Sequence, residues 1–162
     1  MMKRKPVLFL AHTQPGFEAI AADEIERTLE DARLRGTRSV ADKNGMLLFE
    51  YPGDLRDLFA LRTIEDLFAV VATLENPPTS RDALRLIEAQ LLRATAVEPA
   101  LLLARQADPS RGGKGKLRFR VVARQVGSAA YRRVDAQHAA ERAIGQRGDH
   151  RWQVVEDGGL EF

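Results

Sequence analysis

Between Leu117 and Ile144 the chain changes its hydrophobic period once, and that change limits how the segment can fold. Leu117, Phe119, Val121 and Ala123 alternate with Lys116, Arg118, Arg120 and Arg124, the two-residue period of a strand with one packed and one polar face. After a turn at Gly127 the spacing becomes helical from about Arg132, with Ala136, Ala139, Ala140, Ala143 and Ile144 on one stripe and His138 and Arg142 elsewhere. A stripe of such small residues buries little by itself, so the helix is expected to lie close against the sheet that contains the strand.

The same stretch gathers the positive charge. From Arg105 to Arg133 there are nine Lys or Arg and one acid, Asp108. Across the whole chain the net charge is only +2, but residues 1–80 carry ten basic and thirteen acidic side chains, net −3, and residues 81–162 fifteen and ten, net +5. The second half is therefore the half expected to meet a polyanion. Arg132 and Arg133 fall at the start of the helix, where cations oppose the helix dipole. Backbone N–H groups with two arginines would suit a phosphate there.

The first half alternates strand and helix signals. Val7 to Ala11 reads as a buried strand, and Pro15 opens a helix in which Phe17, Ile20, Ile25 and Leu29 recur, ending near Gly36. Strands from about Thr37 to Asp42 and from Met46 to Tyr51 flank Asn44-Gly45, a two-residue hairpin signal. Asp54 caps a short helix from Leu55 to Arg62, and Leu67 to Leu74 is a further strand. This β-α-β-β-α-β order predicts a ferredoxin-like antiparallel sheet over residues 1–75. Asn76-Pro77-Pro78-Thr79 marks the boundary with a second domain, 76–162. In that domain Ser80 caps a helix through Leu84, Ile87 and Leu91, and Glu98-Pro99 opens another or continues the same one with a kink. A glycine-rich loop, residues 108–115, precedes the basic strand, and Trp152 to Val155 reads as a strand. Leu160-Glu161-Phe162 begins another, which suggests an N-terminal piece of a longer protein.

Several chemistries lack their residues. No apolar run is long enough to span a bilayer, the N-terminus is not a signal sequence, and there is no cysteine, so a cytoplasmic protein is expected. The Lys114 loop fails as a P-loop, because Leu117 stands where the hydroxyl belongs and Ser110 where the first glycine belongs. His12, His138 and His150 have no partner at metal-ligand spacing, so no metal is expected. No nucleophile, base and orienting group assemble. An RNA-recognition motif would show stacking aromatics on its sheet, but the basic strand has only Phe119, on its apolar face.

Two groups of residues resemble a known family. The first is Thr13-Gln14-Pro15-Gly16-Phe17-Glu18 with Ala22-Asp23-Glu24-Ile25, then Phe49-Glu50 and the Leu55 to Arg62 helix; the second is Phe119-Arg120-Val121, Arg124, Gly127, Tyr131, Arg133, Asp135 and Ala143-Ile144. Their order and spacing are similar to the N-terminal region of THUMP-containing RNA methyltransferases, which modify tRNA or ribosomal RNA guanines; Tyr131 replaces a more usual Phe. The resemblance implies an α+β chain, a ferredoxin-like domain followed by a THUMP-type α/β domain with its last strands incomplete. It implies tRNA or rRNA as partner and S-adenosylmethionine bound by a further C-terminal domain, with no cofactor, catalytic residue or membrane in this chain. Lys114, Lys116, Arg118, Arg124, Arg132 and Arg133 would contact RNA phosphates. A stand-alone regulatory module that binds an acidic protein is the other reading.

Overall fold

The structure, a computed structural model, describes residues 5–40, 43–111 and 115–162. It is an α+β chain in two compact units, residues 1–70 and 71–162.

The first unit runs β1 (Val7–Thr13), α1 (Glu18–Thr28), β2 (Arg33–Ser39), β3 (Gly45–Tyr51), α2 (Leu55–Leu58) and β4 (Asp66–Ala69). Its four strands form one sheet in the order β2-β3-β1-β4, and every neighbouring pair is antiparallel. Phe9 and Ala11 of β1 and Leu47, Phe49 and Tyr51 of β3 are buried, and so are Ala21, Ile25 and Leu29 along α1. The buried stripe of α1 is thus the i, i+4, i+8 row beginning at Ala21, while the expected Phe17 and Ile20 remain 44% and 54% exposed.

Several sequence expectations shift here. Helix α1 stops at Thr28 rather than near Gly36, because Asp31 takes a left-handed conformation (φ 66°) and turns the chain into β2. Strand β2, Arg-Leu-Arg-Gly-Thr-Arg-Ser, is an edge strand with only Leu34 partly covered. Its charges suit an exposed edge but leave no apolar alternation to read. The Asn44-Gly45 pair does not form a two-residue turn: Ser39 pairs with Gly45 across a five-residue connection, part of which, with the expected end of the strand at Asp42, lies outside the described residues. Gly45 is instead the first residue of β3, where an added Cβ would meet the Glu18 carboxylate at 2.5 Å. The expected helix to Arg62 is one turn long, and the expected strand to Leu74 ends at Ala69. Antiparallel pairing with β1 carries Val70 to Leu8 at 2.8 Å, and a little further along Pro6 has no N–H to offer.

Glu24 closes this unit. Its carboxylate accepts from the Arg62 amide at 2.8 Å, the Thr63 amide at 2.9 Å and the Thr63 hydroxyl at 2.5 Å, so α1 is tied to the segment entering β4. On the other side of that segment the Thr13 hydroxyl donates to the Thr63 carbonyl at 2.6 Å.

The second unit runs α3 (Asp82–Arg93), α4 (Val97–Ala107), β5 (Leu117–Arg120), α5 (Arg133–Gly145), β6 (Trp152–Val154) and β7 (Leu160–Glu161). The apolar region from 82 to 107 is two helices, broken at Ala94 to Ala96. The strands are ordered β6-β5-β7, with both neighbours parallel to β5. Parallel neighbours need a crossover, and α5 supplies the one from β5 to β6. Phe119 is fully buried, and the Trp152 and Phe162 rings meet it edge-on with centroids at 5.7 and 5.9 Å. Leu101 of α4, Ala140 and Ile144 of α5 and Leu160 of β7 complete the core, with Ile87 and Leu91 of α3 packed against it. The alanine stripe of α5 is as the periodicity implies: Ala139, Ala140 and Ala143 are buried with Ile144.

Phe119→Ala is expected to destabilise the second unit by about 3–5 kcal/mol. The only tryptophan, Trp152, lies against Phe119 and reports the unfolding in urea. In the first unit, burial pushes the Glu24 carboxyl up, but the Thr63 hydroxyl and the Arg62 and Thr63 amides outweigh it and hold the group below its usual 4.5. A depressed folded pKa contributes stability above the unfolded value that is lost as pH falls through the folded one. Protection of the β1 amides, taken relative to the intrinsic exchange rate at each pH, should therefore fall below about pH 4.5. Glu24→Gln should cost on the order of 1 kcal/mol at pH 7 and flatten that acid dependence.

Candidate nucleic-acid interface

Strand β5 separates its two faces completely. Leu117 and Phe119 point into the core, while Arg118 is exposed and Arg120 is partly covered on the opposite face. Parallel register places Gln153 beside Arg118 and Glu161 beside Arg120. Arg120 is neutralised there, donating to Glu161 Oε2 through Nη2 at 2.5 Å and Nε at 3.1 Å, with Asp157 at 3.6 Å. Its role is to join β5 to β7. Lys116 and Arg118, by contrast, make no ion pair among the described residues. Gly159, at φ 73°, passes so close to this strand that a Cβ would lie 2.5 Å from the Arg118 carbonyl oxygen; only glycine fits the turn that precedes β7.

The remaining expected contacts sit at the other end of β5. Arg133 spends one Nη1 donor on the Ala123 carbonyl at 3.2 Å, which holds the segment leaving β5 against the first turn of α5. Arg132 is the residue before the helix; its amide donates to Asp135 Oδ2 at 2.8 Å and its Nη2 lies 3.5 Å from Oδ1. The start of α5 is thus capped by an acid of its own first turn. Arg132 and Arg133 are therefore not a bare cationic pair over free amides: one faces a carboxylate and the other a carbonyl. Arg124 is exposed and already has a partner. Lys114 lies outside the described residues.

A further cation joins this end. Arg81 Nη1 stands 3.9 Å from Asp135 Oδ2, so two guanidinium groups, Arg81 and Arg132, share one carboxylate. Hydrogen bonds from the Arg132 amide and side chain hold the Asp135 carboxyl below its usual range, and the Arg81 and Arg132 charges act in the same direction. Arg81 is 51 residues from Arg132, and no local pattern reveals it. Helices α3 and α5 bring it there by running side by side in the same direction. Arg81 meets Asp135 at their starts, Glu88 meets Arg142 along their lengths, and Arg147 donates to the Leu91 carbonyl at 2.6 Å at their ends.

Between the two helix starts the chain leaves an open cavity of about 430 Å³ lined by Thr79, Ser80, Ser128, Ala129 and Ala130. The Ala130 amide donates to the Thr79 carbonyl at 2.7 Å and fixes the two walls. Ser80 Oγ accepts the Asp82 amide at 3.3 Å and donates to the Asp82 carboxylate at 3.2 Å, but the residue at the cap position of α3 is Arg81, one place later than the sequence implies, and its side chain makes no cap.

The buried Nδ1 of His12 has no hydrogen-bond partner among the described residues, and His138 is exposed. His12 is buried in β1, its Nδ1 3.7 Å from Asp66 and its ring edge-on to Phe68; His150 meets Glu98 at 2.7 Å. Among the described residues no group of three or more His, Asp or Glu is placed to hold a metal ion, and no helix is long and apolar enough to cross a membrane. No family model matches the chain, and no curated protein matches it.

If Asp135 offsets the arginines, Asp135→Asn, which keeps an acceptor for the Arg132 amide and removes the charge, should bind a polyanion more tightly. Elution from immobilised heparin at higher salt than the parent chain is the expected result, and unchanged or earlier elution would remove Asp135 from the electrostatics of this surface.

Proposed function

We propose that the chain is an RNA-binding region, acting in the cytoplasm on tRNA or ribosomal RNA for a methyltransferase that modifies guanine. The observation that carries this reading is the distribution of exposed positive charge in the second unit. Lys116 and Arg118 stand exposed and unpaired among the described residues on the open face of β5, and Arg132 and Arg133 stand exposed at the start of α5. Phe119, Trp152 and Phe162 are used in the core, so the sheet offers no ring for base stacking, and recognition through phosphates and shape is what remains.

The topology supports the domain assignment behind this reading. An antiparallel sheet in the order β2-β3-β1-β4 is the ferredoxin-like arrangement, although α2 is a single turn. In the second unit, Phe119, Arg133 and Asp135, three of the residues on which the THUMP resemblance rests, form the core contact, the strand-to-helix tie and the helix cap respectively. Methyl transfer would belong to chain outside these residues. No glycine-rich cofactor loop and no Asn/Asp-Pro-Pro-Tyr sequence occurs in the 162 positions, so no residue here is assigned to S-adenosylmethionine.

The test is a salt series of tRNA affinity. Removing one cation that meets a phosphate should reduce the slope of log affinity against log salt by roughly 0.7–0.9. Lys116→Ala with Arg118→Ala, and separately Arg132→Ala with Arg133→Ala, should each flatten the slope and weaken binding at low salt. Parent-like affinity and slope in both pairs would reject the surface. Tight binding of an acidic protein with no measurable RNA affinity would favour the regulatory-module reading instead.

A further inference from the structure

The edge of the first sheet carries a second concentration of cations, in the half of the chain whose net charge is negative. From Ala32 to Val40 there are three arginines, Arg33, Arg35 and Arg38, and no acid. All three are exposed on β2, which has β3 on one side and, among the described residues, no strand on the other. In an unbroken strand Arg33 and Arg38, five residues apart, would face opposite sides of the sheet. The register shift between Leu34 and Gly36 inserts one extra residue, Arg35, and reverses that outcome. Arg33 now stands opposite Glu50 and Arg38 opposite Met46, alternate residues of β3, so both belong to the face turned away from the buried Leu47, Phe49 and Tyr51. The carboxylate in register with Arg33 is taken by the bulged Arg35, whose Nη2 donates to Glu50 Oε2 at 2.6 Å. Arg33 and Arg38 make no ion pair among the described residues. Asp66 shares their face but belongs to β4, at the opposite edge of the sheet.

We infer that the face of β2 bearing Arg33 and Arg38 is a second phosphate-binding strip, occupied by the backbone of an RNA. The inference deepens the RNA reading and rests on it for the source of the phosphates. Charge on an edge strand also discourages pairing with another chain, a task for which lysine is the usual residue. Arginine at all three positions favours phosphate, because its planar fork engages phosphate oxygens in pairs. From the Glu50 register position to that of Met46 the strip is roughly 13 Å long, enough to follow several phosphates of one strand. The bulge thus gives the first unit a part in binding that its net charge conceals.

The experiment measures the affinity of the full chain for unfractionated tRNA from low to high salt. Arg33→Gln combined with Arg38→Gln should weaken binding at low salt and flatten the slope of log affinity against log salt by roughly 1.4–1.8, the sum of two phosphate contacts. Arg33→Lys combined with Arg38→Lys keeps both charges and should retain most of the parent slope; a slope as flat as that of the glutamine pair would trace the loss to a disturbed strand and overturn the strip. An unchanged slope in the glutamine pair, where Lys116→Ala with Arg118→Ala does flatten it, overturns the strip and leaves the RNA reading standing. An unchanged slope accompanied by new self-association in sedimentation also overturns it, since the two arginines then serve only to keep the edge from pairing. Flattening in the glutamine pair, with parent-like slopes in both second-unit pairs, supports the strip and moves the RNA surface to the first unit. A parent chain with no tRNA affinity overturns the strip and the RNA reading together.

Discussion

The arrangement of the second unit depends on Phe119 being enclosed. It sits on the central strand of a three-stranded sheet, with the Trp152 and Phe162 rings edge-on to it and α4 and α5 contributing Leu101, Ala140 and Ile144 to the same core. Edge-to-face rings place the positive edge of one against the negative face of another, so their orientation is specified as well as their burial. With Phe119 turned inward, strand alternation turns Arg118 and Arg120 outward. The charged face is thus a consequence of the core, and the two are separated by the thickness of one strand.

Charge alone does not decide which arginines are available. Arg120 looks equivalent to Arg118 in the linear sequence, yet register against β7 sets it beside Glu161 and consumes its charge. Exposed ion pairs are worth little in stability, roughly 0–1 kcal/mol, so the greater effect of such a pairing is on the surface potential. Asp135 acts the same way at the other end of β5: one carboxylate caps α5 and at the same time moderates Arg81 and Arg132. The surface is therefore graded, with two cations at the start of β5 that are unpaired among the described residues and partly balanced ones beyond its end.

Hydrogen-bonded carboxylates serve a comparable joining role in the first unit. Glu24 holds the chain entering β4 from the α1 side, and Asp57 accepts from the Tyr51 hydroxyl at 2.5 Å, joining the end of β3 to α2. Burial and the neighbouring Asp57 push the Tyr51 hydroxyl up to about 12, so it stays a donor across the physiological range. Gly53 makes this packing possible, since a Cβ there would lie 2.1 Å from the Tyr51 oxygen. These contacts compensate for an α2 of a single turn, too short to be stable by its own hydrogen bonds.

Local periodicity was sufficient for elements whose own side chains are buried. Strands β1, β3 and β5, the alanine stripe of α5 and the polar identity of Lys116 and Arg118 follow from spacing, because a period of two or of 3.6 is a direct imprint of one covered face. What spacing did not decide is everything that depends on a partner distant in sequence. Strand β2 exists through pairing with β3, β4 stops where β1 ceases to offer amides, and Arg81 reaches Asp135 only because α3 and α5 lie parallel. The sequence by itself thus determined the alternation of strand and helix and the sign of the charge on β5. The tertiary structure decided which charges are neutralised and where a cavity opens, since both depend on register and helix direction, which long-range packing sets.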